Sequence, residues 1–303
     1  MKFDYDFCIS TSERVAWKLD DVLPKDAQLD FKRRFLPETL VGLDGVDCLS
    51  EAEKLKLNQI RGNAYLYLFS FVEEYIIATC VQHVDSEVFG DDSALRAMLR
   101  FAEEEVKHQQ LFKRACAAFA KSFGSNCEVL PSPEAVAGVI LAKSPMAVML
   151  ITLHLEVMTQ QHYVQCFQDN DQEDLDPHFK QMLKSHWLEE AQHAKLDALR
   201  LRKLAQTADA EARKRAITDY LDLLVALDGL LSQQAAFDVA SLERATGRTL
   251  NEREKKQVLD SQVTTYRRTF ITYGITNPTF LEVVHELFPG DDARVSQKAA
   301  SLL

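Results

Sequence analysis

Long stretches without a helix breaker constrain this chain more than any other feature. Its 10 glycines and 8 prolines among 303 residues leave nothing to stop a helix between Gly90 and Gly124, or between Pro177 and Gly229. An interior glycine costs a helix about 1 kcal/mol and an interior proline about 3 kcal/mol relative to alanine, so uninterrupted stretches of this length favour long helices. Runs of Val, Ile and Thr alternating with polar residues, the mark of a half-buried strand, are few. The expected fold class is therefore all-α. A hydrophobic fraction of 47% is enough to bury one large core, so residues 1–303 are expected to form a single domain.

Within that span, residues 1–49 read as a wrapping segment of short helical fragments and turns around Pro24, Pro37 and Gly45. Ser50 and Glu53 have capping-box spacing and open a first long helix that runs to about Val84. A second starts near Asp92 or Ser93 and stops at Gly124, a residue suited to the left-handed turn after a helix. After a loop around Pro131 and Pro133 comes a short helix, then a third long one from Pro145 to near Phe167. Pro177 is placed to open a fourth. Residues 206–303 supply additional helices: roughly Asp209 to Thr246, stopped by Gly247, then about Asn251 to Tyr273, then a short terminal one from near Pro278.

The formal charge of −11 repels phosphate backbones, and no basic stripe with interleaved aromatics tracks a nucleic acid. The six cysteines form no CxxC pair, which argues against a zinc knuckle or a redox dithiol and fits free thiols in a reducing compartment. The N-terminal MKFDYDFCIS has neither the basic nor the apolar region of a signal peptide, and no uninterrupted apolar run reaches about 18 residues. A cytoplasmic protein without a membrane span is the expectation.

Two of the long helices carry a Glu-x-x-His pair, Glu105 with His108 and Glu190 with His193. Residues three apart share a helix face, so each pair can offer a carboxylate and an imidazole to one ion. The other two each set a glutamate in an apolar stretch, Glu74 in FSFVEEYIIATC and Glu156 in ITLHLEVMTQ. Adjacent Glu73 competes with Glu74, because neighbours on a helix cannot both face the axis; Glu74 is the expected ligand and Glu73 the expected surface residue. A third match, Glu282 with His285, sits on a short terminal helix without ordered partners. Order separates the first two from chance: Glu, Glu-x-x-His, Glu, Glu-x-x-His on four successive long helices is the arrangement of ferritin-like dimetal carboxylate bundles. His186, four residues before Glu190, adds a third imidazole to that face. His154 and His162 fall out of phase with Glu156, and His83 and His285 read as surface or satisfied core positions. Buried carboxylates need counter-charge, and oxygen and imidazole donors without thiolates suit iron or manganese better than a structural zinc site.

The ligand order and His186-x-x-x-Glu190-x-x-His193 resemble the p-aminobenzoate N-oxygenase group of diiron enzymes. EYIIATCVQHV, LEVMT and HWLEEAQH resemble a bacterial family labelled predicted metal-dependent hydrolases. The resemblance covers about residues 50–205. It implies a ferritin-like four-helix bundle with ligands Glu74, Glu105, His108, Glu156, His186, Glu190 and His193 around two iron ions, with manganese-iron as the other pairing. The expected activity is that of an O2-activating diiron oxygenase or oxidase with a small organic substrate and an electron donor. A ferroxidase or iron-handling protein and a metal-dependent hydrolase are the alternatives. The prevalence of two-fold symmetry among oligomers makes a homodimer the expected assembly.

Overall fold

The computed structural model describes residues 3–130 and 133–301, with the backbone only at 85 and 86; the turn expected at Pro131 lies outside the described residues. Regular structure among them is helical throughout. An isolated bridge between Arg34 and Leu175 pins the N-terminal segment to a later loop.

The long helices begin and end where local chemistry dictates. Helix α4 (Glu51–Glu87) opens on a complete capping box, the Ser50 hydroxyl accepting from Glu53 N–H and the Glu53 carboxylate from Ser50 N–H. Asp91 caps α5 (Asp92–Phe123), and Gly124, at φ +81°, ends it. Helix α7 (Pro145–Cys166) starts on a proline. So does α8 (Pro177–Thr207), where Asp176 accepts from the Phe179 N–H. Helix α9 (Ala210–Thr246) runs from Asp209 to Gly247. Shorter helices precede and separate these: α1 (Tyr5–Val15), α2 (Leu19–Val22), α3 (Glu38–Val41) and α6 (Pro133–Leu141).

Helix α4 folds back along α5, and α7 along α8; α5 and α8 meet, while α9 lies across α4 and α7 and α1 packs on α5 and α8. Helix α7 is the innermost. Every residue from Met146 to Thr159 is buried, as expected of a helix apolar on all sides. By length and hydropathy alone, Glu51–Val84 and Ala210–Thr246 could each cross a membrane. The most apolar windows are 67% and 39% buried, and the first of these marks a core helix.

The C-terminal region departs from expectation in two ways. The helix expected up to Tyr273 is α10 (Glu252–Arg267) followed by a π turn at Arg268–Thr272 and a short α11 (Tyr273–Ile275). There the Phe270 carbonyl meets His154 Nε2 at 2.9 Å, and Gly274 lies so close to His154 that a Cβ would stand 2.4 Å from its ring. The widened turn thus serves a buried imidazole, which donates to Phe270 and takes the Tyr220 hydroxyl on Nδ1 at 2.9 Å. Beyond the expected α12 (Pro278–Leu287) there is one more helix, α13 (Asp292–Ser301), which the sequence reading did not include.

Candidate metal centre

Each of four long helices turns an acidic residue inward. On α5 the three-and-four spacing of Phe101, Glu105, His108 and Phe112 buries all four side chains, and on α8 the same spacing buries His186, Glu190, His193 and Asp197. Helix α7 adds Glu156 and α4 adds Glu73, each 3% exposed.

Their polar atoms gather in two overlapping groups, Glu73, His108, His186 and Glu190, and Glu105, His108, Glu190 and His193. In each, one donor atom per residue lies within 4.8 Å of every other. Glu190 spans the two. Its Oε1 is 2.7 Å from His186 Nε2 and 3.2 Å from His108 Nδ1, whereas Oε2 is 3.4 Å from His193 Nδ1. Glu105, in the second group, lies 2.9 Å from His193 Nδ1 through Oε1 and 3.8 Å from His108 Nδ1 through Oε2. Glu73 Oε1 approaches His186 Nε2 at 3.3 Å, and Glu156 Oε2 lies 3.9 Å from His193 Nδ1. All of these groups except Glu73 were expected to converge from sequence.

Glu74 is the correction. Its carboxylate is half-buried and faces the exposed Lys113 ammonium at 3.3 Å, so Glu73 takes its place in the cluster. On α4 the residues four before and three and seven after Glu73, namely Phe69, Ile76 and Cys80, are all buried, which puts Glu73 on the inward stripe.

These residues fit a bound cation. Both oxygens of Glu73 and Glu105, Glu156 Oε2, Glu190 Oε1 and the Nδ1 atoms of His108 and His193 are buried with no hydrogen-bond partner. Each such orphan costs about 1–3 kcal/mol, and this many converging lone pairs are satisfied together by positive charge placed between them.

Comparison with protein-family models, curated proteins and solved structures returned no match.

In the metal-free chain, protons take the place of cations. Burial pushes the Glu73 carboxyl up to about 8 despite His186 beside it, and burial together with the neighbouring Glu190 pushes Glu156 well above the carboxylate range. Burial alone would raise Glu190 too, but His186 and His193 hold it well below that range. Against burial, the surrounding carboxylates raise His108 and His193 well above an ordinary imidazole.

Two glutamates that the sequence reading passed over complete the centre. His108 Nε2 lies 2.8 Å from Glu189 Oε2, and His193 Nε2 lies 2.8 Å from Glu104 Oε2. Each imidazole therefore gives its Nε2 proton to a carboxylate outside the cluster and keeps Nδ1 for the interior, the arrangement that orients metal-binding histidines. The pairs are crossed: Glu104 on α5 holds His193 of α8, and Glu189 on α8 holds His108 of α5. Ser12 donates to Glu104, and Lys107 Nζ reaches Glu189 at 2.5 Å while lying 4.3 Å above the Trp17 ring. Trp17 itself stacks on His108 at 5.8 Å. The N-terminal segment thus closes the outer side of the centre. The signal was present as a repeated Glu-Glu-x-x-His, residues 104–108 and 189–193, of which only the second glutamate was read.

Glu189→Ala should lower metal affinity about 10- to 100-fold while leaving every cluster residue in place. Chelator competition measures this, and an unchanged affinity would refute the orienting role.

The remaining histidines stand apart. His285 is exposed and pairs with Asp292 at 2.9 Å. His154, on α7, packs against the π turn, and burial pushes it down to about 4. His162 is buried with neither nitrogen hydrogen-bonded, and burial and then nearby His186 push it down to about 3.

Proposed function

We propose that this chain is a ferritin-like dimetal protein that holds two iron ions and uses O2 to oxidise a small organic molecule. One observation carries the reading: four carboxylates and the Nδ1 atoms of His108 and His193 bring unpartnered atoms to a shared interior that His186 Nε2 also faces, and crossed carboxylates hold His108 and His193 in the metal-binding tautomer. In this reading Glu73, His108 and His186 would hold one ion and Glu156 and His193 the other, with Glu105 and Glu190 within reach of the same interior. Bound iron would supply the redox electrons that O2 reduction requires.

The chain's own share is position and dryness. Phe101 stacks on His193 at 4.1 Å, and Phe69 and Phe112 each lie 5.0 Å from His186, so aromatic rings keep water from the imidazoles. Glu104 and Glu189 fix the imidazole protons on Nε2. The third imidazole, His186, makes the two positions inequivalent. The absence of a thiolate in the cluster favours iron or manganese over structural zinc.

The test is anaerobic loading with ferrous iron followed by rapid mixing with O2. An O2-dependent absorbance transient is expected. A fully iron-loaded sample with no such transient would sink the oxidative reading, and activity retained with zinc would point to hydrolysis.

A further inference from the structure

An apolar cavity of about 290 Å³ lies between α4, α6, α7 and α9. Its inner walls include Phe71, Tyr75, Ile151 and Leu223, and its solvent side is formed by Val139, Ala226, Gly229 and Gln233. Among the described residues, no Asp, Glu, Lys, Arg or His lines it. A second, far smaller void of about 10 Å³ is lined by Glu73, Glu105, Glu156, His186 and Glu190. Val72 and Leu155 belong to both linings, so a partition one side chain thick separates the cavity from the carboxylate cluster.

We infer that this cavity binds the substrate, and that the substrate is an uncharged, largely hydrocarbon molecule whose reacting end meets the cluster at Val72 and Leu155. The inference rests on the dimetal reading for its chemistry and on the cavity alone for its ligand class. Three features set that class. Size is the first: at about 30 Å³ per water-sized atom, the space takes roughly ten non-hydrogen atoms. Charge is the second, because an ionised group carried into this lining would lose its hydration and find no counter-charge. The third is polarity along the cavity, with Gln233 at the exposed mouth and Tyr75 on the inner wall, its hydroxyl paired with Thr152 Oγ1 at 3.4 Å. A polar group on the ligand therefore meets Gln233 at the mouth and chiefly apolar side chains beyond it. The open mouth between α6 and α9 gives entry without unfolding, since Val139 is 52% exposed and Gly229 has nothing within 4 Å of where a Cβ would stand.

The experiment titrates 2-naphthol and 2-naphthalenesulfonate, one ring system with and without charge, into the full chain by calorimetry, whatever its metal content. About one 2-naphthol per chain is expected, with the sulfonate at least about tenfold weaker. Ala226→Trp, which puts an indole across the mouth, should weaken 2-naphthol by about tenfold or more, with Gly229→Leu as a second blocking variant whose side chain enters open space. In the manganese-loaded chain the bound naphthol proton resonances should broaden through proximity to the paramagnetic ions. Equal binding of the two probes, indifference to both blocking variants, or bound naphthol without manganese broadening would each overturn the proposal. A chain that takes up no manganese yet binds naphthol selectively refutes the dimetal reading while supporting the cavity's ligand class, so the two failures are distinguishable.

Discussion

Glu190→Ala is expected to reduce metal content from about two ions per chain to below one, with affinity down at least about 100-fold, the upper end of what changes outside the direct ligands cost. Glu190 is the carboxylate common to both groups of donor atoms, and its two oxygens face different histidines. Removing it takes an anion from both positions at once, whereas Glu73→Ala removes one from a single position and should lower the content by about one ion. Glu74→Ala is the decisive control. That side chain meets an exposed lysine, an interaction worth about 0–1 kcal/mol, so the variant should keep its full complement. Elemental analysis after dialysis against micromolar ferrous iron reads all three. Two ions retained in Glu190→Ala, or ions lost in Glu74→Ala, would show that the cluster is not the binding site.

That contrast also shows where sequence periodicity stops being informative. Helix ends were legible because caps and stops are local chemistry: Ser50 with Glu53, Gly124, Pro177 and Gly247 all act within about one turn of where they stand. The Glu-x-x-His pairs were legible because their spacing is a property of one helix. The phase of α4 was not, since Tyr67, Phe71 and Ile77 on one side and Phe69, Ile76 and Cys80 on the other make both stripes apolar, and only the neighbouring helices decide which faces the cluster. The π turn was hidden for a similar reason. Nothing local to Arg268–Thr272 announces it, and its cause is the His154 ring on a helix more than a hundred residues earlier. The roles of Trp17, Ser12, Glu104 and Glu189 likewise depend on contacts across the chain. The doubled glutamates were visible, but which His each would hold was not.

Metal removal should destabilise the fold by a margin that widens as pH rises. Glu73 in the metal-free chain is raised to about 8, and Glu156, His108, His186 and His193 are raised as well. A group whose folded pKa is raised stabilises the fold below its unfolded pKa and loses that contribution as pH climbs through the folded value. For Glu73 the loss runs from about 4.5 to about 8, and for the histidines it begins near 6.5 and extends above it. Glu190 is lowered and Glu104 sits at about 2, so their contributions are lost only on acidification and do not offset the alkaline loss. With cations bound, the same atoms are already deprotonated and paired with positive charge, and this pH dependence largely disappears. At a free metal concentration about a thousand times Kd, binding adds about 4 kcal/mol, a rise in Tm on the order of 10 °C for a chain of this size. The gap in Tm between loaded and metal-free protein should therefore be small near pH 6 and widen as pH rises through about 8, because metal affinity itself rises as the displaced protons become easier to remove. Scanning calorimetry across that range, on protein stripped with chelator and on the same protein reloaded, measures it directly. A gap that stays constant or narrows toward alkaline pH would mean that protons and cations do not compete for this cluster.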